Sequence, residues 1–459
     1  MPAITEQQLK SFKKLHFVGV GGSGMFPLVQ ILLAQGHEIS GSDNNPGDTI
    51  DQERAMGVKV TIGHAAENVA DAQAVVYSAA IMQDNVELVE AKKRGIPLIE
   101  RSEMLGLLTR RYNNCVCVSG THGKTTTTSM LTHLMLAADL DPSAVIGGKL
   151  NAIGGSGRAG KSDSMVVEAC EFVDTFLHLS PDISVILNID EDHLDYFKTL
   201  ENIIRSFRRF CELTSRTVIY NGDDENSKKA VEGLDKKLIS FGMSSSSDYY
   251  PENIVWQNGA HCEFDLMQGG EKLTSLTLNV PGEHNVLNAV AACAAAIEAG
   301  ADISTLNAGL AAFTGVHRRF EILGKVNGIT IADDYAHHPA ELAVTLRAAN
   351  KLGFKKVWAV FQPFTFSRTA ILLDEFAKAL PIADRVVMSA IMGGREINTY
   401  GITTADLAEK IPDSVWFETF DEIAEYVLKN AEDGDLVITL GCGDVYKCAK
   451  LMLGQELPK

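Results

Sequence analysis

Residues 118–130 read VSGTHGKTTTTSM, and the apolar run CVCV at 115–118 leads into them. An apolar strand, a turn with two glycines and a threonine-rich helical stretch form the strand–loop–helix pattern of a phosphate-binding turn. The strict P-loop pattern has a glycine six residues before the lysine, where this chain has Val118. The shorter GTHGKT keeps the useful physics. Gly120 and Gly123 let backbone N–H groups face a phosphate, and the following helix N-terminus adds its positive dipole. Thr121, His122 and Thr126 complete the loop. Lys124 suits β- and γ-phosphate charge, and the Thr125 hydroxyl suits Mg²⁺. The plain alternative is a glycine turn carrying a surface lysine.

Outward from this loop, the chain alternates short apolar strands with helical stretches. This predicts an α/β fold with mainly parallel sheets. Residues 1–108 read as a small doubly wound, Rossmann-like unit with strands at LHFVGV, HEISGSD, AVVYSAAI and IPLIER and a helix at MFPLVQILLAQG. Residues 109–315 form a central block whose strands CVCVSG, SMVVEAC, ISVILNID and RTVIYNGDD are nearly continuous apolar runs, as a sheet covered on both faces requires. Between about 236 and 281 the pattern becomes hairpin-like, with alternation in AHCEFDLMQGGEKLTSLTLNV. The helix NVLNAVAACAAAIEAG follows and stops at Gly300. Residues 316–459 form a third α/β block with strands ITIADDYA, KVWAVFQP, RVVMSAI and DLVITLGCG. SSSSD at 244–248 reads as a surface loop.

Composition narrows the function. The chain has 459 residues and a net charge of −18, which argues against nucleic-acid binding through phosphate contacts. Small anions remain compatible with an acidic protein. The eight cysteines are scattered without metal-ligand spacing, so buried thiols in a reducing cytoplasm are expected. The polar start MPAITEQQLKSFKK lacks a signal-peptide core. No run approaches the roughly 18 apolar residues of a membrane helix. A cytoplasmic protein without membrane insertion is expected.

A second turn, VGVGGSGM at 18–25, gives Gly19, Gly21, Gly22, Ser23 and Gly24, with Asp43 after the next strand. This is the pattern of a dinucleotide site, with an acid for a ribose, so an NAD-dependent dehydrogenase is one reading. A UDP-sugar offers the same ribose and pyrophosphate, and a purely structural turn is the third possibility. VVEACEF places Glu168 at a strand end, and NIDEDHLDYF places Asp192, His193 and Asp195 at another. Carboxylate and imidazole beside a phosphate loop suit a divalent cation, although His193 alone would more often cap or pack. HRRFE (317–321), DDYAHHPAE (333–341) and FQPFTFSRT (361–369) crowd polar groups where strands of the third block end.

Taken together, GVGGSGM, SGTHGKTTT, EACE, NIDEDHLD, GEHNVLNAVAA, HRRFE, DDYAHHPAE, FQP…SRT and TLGCGDVYK resemble the Mur ligases, in order and over essentially the whole chain. The resemblance implies three domains, for a UDP-sugar, for ATP, and a Rossmann-like one that closes on ATP and an amino acid. It assigns the turn at 120–125 to ATP and the turn at 19–24 to the UDP pyrophosphate. A dehydrogenase would leave the second phosphate site unexplained. The resemblance makes Lys124 the phosphate lysine, Thr125 and Glu168 ligands of one Mg²⁺, and His193 a ligand of a second, with Mn²⁺ able to substitute. It places His284, Asn285 and Asn288 at the adenine, Arg319 and Asp334 at ATP, and Tyr335, His337 and Arg368 around the amino acid. The implied reaction is ATP-dependent ligation of L-alanine to the lactyl carboxylate of UDP-N-acetylmuramate through an acyl phosphate, by a monomer or homodimer. The rival within the family adds an intact tripeptide to the same nucleotide sugar. Two departures stand out. SFRRFCELTSRT has no lysine where other Mur ligases carry a carbamylated one, as in the alanine-adding branch. Phe364 stands where that branch usually has histidine.

Overall fold

The computed structural model describes residues 4–257, 261–394 and 396–455. Three sheets organise them. The first contains β1 (Lys14–Val18), β2 (Glu38–Asp43), β3 (Lys59–Ile62), β4 (Ala74–Tyr77) and β5 (Leu98–Glu100) in the order β3-β2-β1-β4-β5, all parallel. Both faces are covered. Val76 joins the core with Phe17, Leu28 and Leu32, while its neighbour Val75 joins Val18 and Leu88 on the other face. Successive strand residues point to opposite faces, so a doubly covered strand must be apolar throughout.

The second sheet has ten strands: β6 (Asn114–Ser119), β7 (Ser143–Leu150), β8 (Gly155–Arg158), β9 (Ser164–Glu168), β10 (Ile183–Ile186), β11 (Thr217–Asn221), β12 (Lys237–Phe241), β13 (Tyr249–Gln257), β14 (His261–Gln268) and β15 (Glu271–Leu278). Their order is β15-β14-β13-β12-β11-β10-β6-β9-β7-β8. The expected alternating stretch from 260 is β14 and β15; its first residue, Ala260, lies outside the described residues. The alanine-rich stretch is the helix Glu283–Glu298, with Gly300 at φ +100° behind it.

The third sheet comprises β16 (Glu321–Val326), β17 (Ile329–Asp334), β18 (Val357–Phe361), β19 (Arg385–Ser389), β20 (Val415–Phe417) and β21 (Leu436–Leu440), in the order β16-β17-β21-β18-β19-β20. Only β16 is antiparallel to its neighbour. Ala359 and Phe361 enter one core and Trp358 and Val360 the other.

Compactness divides the chain into two units. One is Met1–Ile254, Glu263–Leu278 and His284–Phe313; the other is Val255–Cys262, Asn279–Glu283 and Thr314–Lys459. The first unit therefore holds the five-stranded sheet together with most of the ten-stranded one. Helix Phe26–Ala34 links them by packing on β7 and β8. Gly157 makes this approach possible, since a β-carbon there would come within 2.5 Å of Pro27 Cα. Among the described residues no helix is long and apolar enough to cross a membrane. All eight cysteines are free, and six are buried.

Topology places both glycine turns where ligands meet parallel sheets. β1 lies between β2 and β4, and β6 lies between β10 and β9, so strand order reverses at each. The crevice at the carboxyl end of such a strand is the standard binding position in open α/β sheets.

Candidate active site

The loop after β6 leads into the helix Lys124–Ala137. Gly120 (φ +146°) and Gly123 (φ +86°) adopt backbone conformations that L side chains rarely take. A β-carbon at Gly120 would approach Leu187 Cβ to 2.8 Å, and one at Gly123 would approach Asn288 Oδ1 to 2.8 Å. The loop is fixed from the end of β10. The His122 N–H donates to Asn188 Oδ1 at 2.8 Å, Asn188 Nδ2 donates to His122 O at 3.0 Å, and the Thr121 N–H donates to Asn188 O at 3.0 Å. The Asp190 N–H donates to Thr121 Oγ1 at 2.9 Å.

Lys124 is folded back onto this loop. Its Nζ donates to Gly120 O at 2.5 Å and Thr121 O at 3.0 Å, and it contacts both oxygens of Glu171 at 3.1 and 3.0 Å. Burial is the largest influence and disfavours the lysine charge, but Glu171, Cys170 and Glu168 together outweigh it and hold the pKa above the ordinary lysine value. At the next residue, Thr125 Oγ1 donates to Glu168 Oε1 at 2.9 Å, and the Gly147 N–H donates to Glu168 Oε2 at 2.6 Å. Thr126 is half-buried in the same turn. Asn285 and Asn288, both buried, are joined at 3.2 Å beside Gly123, whereas the neighbouring His284 is exposed.

His193 joins Glu171 and Asp192 in a second cluster. One ligand atom from each lies within 4.8 Å of the others. His193 has φ +52°, an uncommon conformation for a non-glycine residue, and its ring packs on Phe172 with centroids 4.6 Å apart. The side chain of Asp195 lies outside the described residues. Thr125 with Glu168 offers only oxygen donors, and the second cluster offers two carboxylates and an imidazole. Both sets fit a hard divalent cation.

At the other turn, the Gly19 and Val20 N–H groups donate to Ser42 O at 2.8 and 3.0 Å, and the Gly21 N–H donates to Asp43 Oδ2 at 3.1 Å. Asp43 thus braces the turn itself in this state. Gly22 and Ser23 are exposed, and Gly24 lies beside the Arg101 side chain. Beneath them Glu87 is fully buried. It accepts from Ser42 Oγ at 2.6 Å and Asn68 Nδ2 at 2.5 Å, and lies 3.1 Å from His64 Nδ1. Burial opposes its charge, yet His16, Ser42 and Asn68 together pull its pKa down to about 2.

In the second unit, Arg318 ties its own loop to the end of β17 and to the loop after β21. Nε donates to Asp333 Oδ2 at 2.8 Å, Nη1 to Gly443 O at 3.0 Å, and Nη2 to Gly441 O at 2.6 Å. Its guanidinium and that of Arg319 both lie over the Tyr335 ring, at 5.1 and 5.3 Å. Asp334 accepts from the Phe320 and Ala336 N–H groups, each at 2.7 Å. Burial lifts its pKa to about 6, against the pull of Arg319 and those two donors. His337 Nδ1 sits 3.0 Å from Tyr335 O and 3.3 Å from Glu341. Burial lowers its pKa, with Glu341 opposing and the Arg368 charge adding to the shift. Arg368 stands in the short helix Phe366–Ile371, whose N-cap is Thr365. Half-buried Phe364 lies against Gly394, where a β-carbon would come within 3.6 Å of its ring.

Motif reading passed over Asn188, Glu171, Glu87 and Arg318. Glu171 and Arg318 stand inside quoted motifs, but only the folded chain shows what they hold. Asn188 likewise opens the quoted NIDEDHLD, where attention fell on Asp192 and His193, and nothing local in the sequence distinguishes Glu87.

Comparison with known proteins gives three matches to family models: Mur ligase family, catalytic domain (residues 14–113), Mur ligase middle domain (118–296) and Mur ligase, glutamate ligase domain (318–443). A curated UDP-N-acetylmuramate–L-alanine ligase of Caldanaerobacter subterraneus subsp. tengcongensis is 42% identical over 457 residues, covering 98% of this chain and 99% of the relative. A solved UDP-N-acetylmuramate–alanine ligase from Thermotoga maritima superposes with TM-score 0.81 at 27% identity, covering 96% of this chain and 98% of that one. A murein peptide ligase from Psychrobacter arcticus superposes with TM-score 0.72 at 25% identity and the same coverage.

Proposed function

This chain belongs to the Mur ligase family, and from that premise we propose that it joins L-alanine to the lactyl carboxylate of UDP-N-acetylmuramate at the expense of ATP, a step in peptidoglycan precursor synthesis. The near-full-length match to an alanine-adding relative carries the choice of substrates.

The chemistry follows from the carboxylate. In water it resists amines, because its charge repels nucleophiles and oxide is a poor leaving group. Transfer of the ATP γ-phosphoryl group to a lactyl oxygen removes that charge and makes phosphate the leaving group. The neutral amine of L-alanine then attacks the carbonyl carbon, the C–O bond to phosphate breaks, and the ammonium loses a proton. ATP, carboxylate and amine thus become ADP, phosphate and amide.

The residues are given these roles as part of the proposal. Backbone N–H groups of the loop from Gly120 to Thr126 orient the β- and γ-phosphates. Lys124 leaves the Gly120 and Thr121 carbonyls to neutralise the charge that shifts during transfer. Glu171 keeps that lysine charged and aimed at the loop. Thr125 and Glu168 would hold one Mg²⁺ and His193 a second, with Asp192 and Glu171 beside it; Mn²⁺ is expected to substitute. Bound there, the cations supply Lewis-acid charge stabilisation. Asn285 and Asn288 meet the adenine, with His284 at the margin. The turn from Gly19 to Gly24 with Asp43 holds the UDP portion. Arg319 and Asp334 serve ATP, and Tyr335, His337 and Arg368 serve the amino acid.

The test is product analysis by mass after incubation with UDP-N-acetylmuramate, ATP and either L-alanine or the murein tripeptide. The L-alanine adduct should form with stoichiometric ADP. Turnover with tripeptide alone would give the reaction to the recycling branch instead.

A further inference from the structure

The second cation cluster draws its donors from two loops. Glu171 follows β9, whereas Asp192 and His193 follow β10. Those strands do not pair, because β6, which leads into the phosphate loop, lies between them. The sheet therefore does not fix one donor loop against the other. A donor set of this kind holds a cation only while its spacing is kept.

Side-chain contacts bridge the gap. The Phe172 ring packs on the His193 imidazole with centroids 4.6 Å apart. Tyr196 Oη donates to Asp174 Oδ2 at 2.9 Å. Backbone bonds connect this second bridge to the donors themselves. The Asp174 N–H donates to Glu171 O at 3.0 Å, and the Tyr196 N–H donates to His193 O at 2.9 Å. Glu171, Asp174, Tyr196 and His193 thus form a ring that is closed once by the cluster and once by the Asp174–Tyr196 bond.

Asp174 is anchored from behind as well. Ser206 Oγ, in the helix Leu200–Leu213, donates to its Oδ1, so each carboxylate oxygen already accepts a hydroxyl. Two residues on, buried Phe176 stacks on Phe210 with centroids 4.7 Å apart and fixes the end of the loop in the core.

The backbone is strained where Asp174 turns toward Tyr196. Val173 has φ +53° and Asp174 φ +58°, and a β-branched residue in that region is a true outlier. Such strain persists only where the surroundings over-determine it, and it gathers at functional sites. Stability alone does not account for the arrangement. Tyr196 is 39% exposed, and water replaces either partner of so open a hydrogen bond at little cost. What the bond fixes is position.

We propose that Asp174 and Tyr196 are positioning residues for the second cation: their hydrogen bond holds the Glu171 loop against the Asp192–His193 loop and so sets the spacing of the three donor groups. This rests on the reading of that cluster as a cation site.

The test is titration of Mn²⁺ alone into the full-length protein, followed by the electron paramagnetic resonance of the free ion. His193→Ala defines the site, because one saturable binding step should disappear with it. Tyr196→Phe keeps the ring and removes only the hydroxyl. It should retain that step but weaken it about tenfold, the lower end of what losing a ligand's supporting partner costs. Asp174→Ala should weaken the step at least as much, and adding Tyr196→Phe to it should change nothing further. In turnover, the Mg²⁺ concentration for half-maximal phosphate release should rise by a similar factor in Tyr196→Phe. Saturating Mg²⁺ should restore kcat, and the KM for UDP-N-acetylmuramate should stay unchanged. Native Mn²⁺ affinity in Tyr196→Phe would overturn the proposal. So would a loss of kcat that Mg²⁺ does not restore, which marks a merely structural residue. A binding step that survives His193→Ala would instead remove the cation site itself, and the proposal with it.

Discussion

Replacing Lys124 by alanine should produce two losses that can be separated. The first is structural. Lys124 and Glu171 are 15% and 3% exposed at their side chains and lie 3.0 Å apart. Removing the lysine leaves the Glu171 carboxylate buried without its counter-charge. Breaking such a pair typically costs about 3–5 kcal/mol, and partial exposure of the lysine places this case near the lower figure. The second loss is catalytic. Lys124 is the cation proposed to follow charge onto the transferring phosphoryl group, and deleting one such group costs about 10²–10³-fold in kcat. The double variant Lys124→Ala/Glu171→Gln tells them apart, because it removes the stranded charge without restoring a cation. Urea unfolding followed by circular dichroism should show Lys124→Ala destabilised by about 3 kcal/mol and the double variant recovering most of that. Phosphate release should stay lowered by about 10²–10³-fold in both. A single variant as stable as the native protein would refute the structural half. A double variant that regains turnover would refute the assignment of Lys124 to phosphate.

Other outcomes follow from the same geometry. Gly22→Val should raise the KM for UDP-N-acetylmuramate far more than that for ATP in steady-state kinetics. A selective rise for ATP would mean that the two turns are reversed. Glu53 is fully buried with neither carboxylate oxygen hydrogen-bonded, and burial, with Asp43 adding to it, lifts its pKa from 4.5 to about 8. The folded state then holds a proton that the unfolded state has lost between those values, so this residue's contribution to stability falls as pH rises from 4.5 to about 8. Glu53→Gln should flatten that decline in urea titrations across the range, and an unchanged slope would contradict the reasoning. Arg368→Ala should raise the KM for L-alanine strongly. Phe364→Ala should chiefly relax selection toward L-serine, read as kcat/KM for L-alanine, glycine and L-serine; lost stability with unaltered selectivity would make Phe364 a packing residue against Gly394.

Local order in the sequence made the phosphate loop readable. Strand, glycines, lysine and threonine are neighbours in the chain, and the physics that joins them acts over one turn. Long apolar runs such as β6, β10 and β21 were legible for the same reason. Strands β3, β8 and β20 were not. β3 is mostly exposed, β8 is Gly155–Ser156–Gly157–Arg158, and β20 has three residues, so none carries an apolar run. β7 ends in the glycine-containing stretch GGKL, and β16 has only half-buried and exposed positions, which hides both. Side-chain partnerships across long separations were out of reach altogether. Glu171 on Lys124, Asn188 on His122 and Glu87 on Ser42 exist only once separate βα units meet. In HRRFE the motif drew notice to Arg319, whereas the folded chain shows Arg318 (φ +60°) joining Asp333 in β17 to Gly441 and Gly443 in the loop after β21.

The acyl phosphate is the central claim, and isotope transfer tests it most directly. UDP-N-acetylmuramate carrying a heavy oxygen isotope in its lactyl carboxylate is incubated with ATP, L-alanine and the full-length protein, and the released phosphate is weighed by mass spectrometry. If a carboxylate oxygen attacks the γ-phosphorus and departs with it when the amine adds, one heavy oxygen appears in the phosphate for each amide formed. Amide formed with unlabelled phosphate would contradict the mechanism.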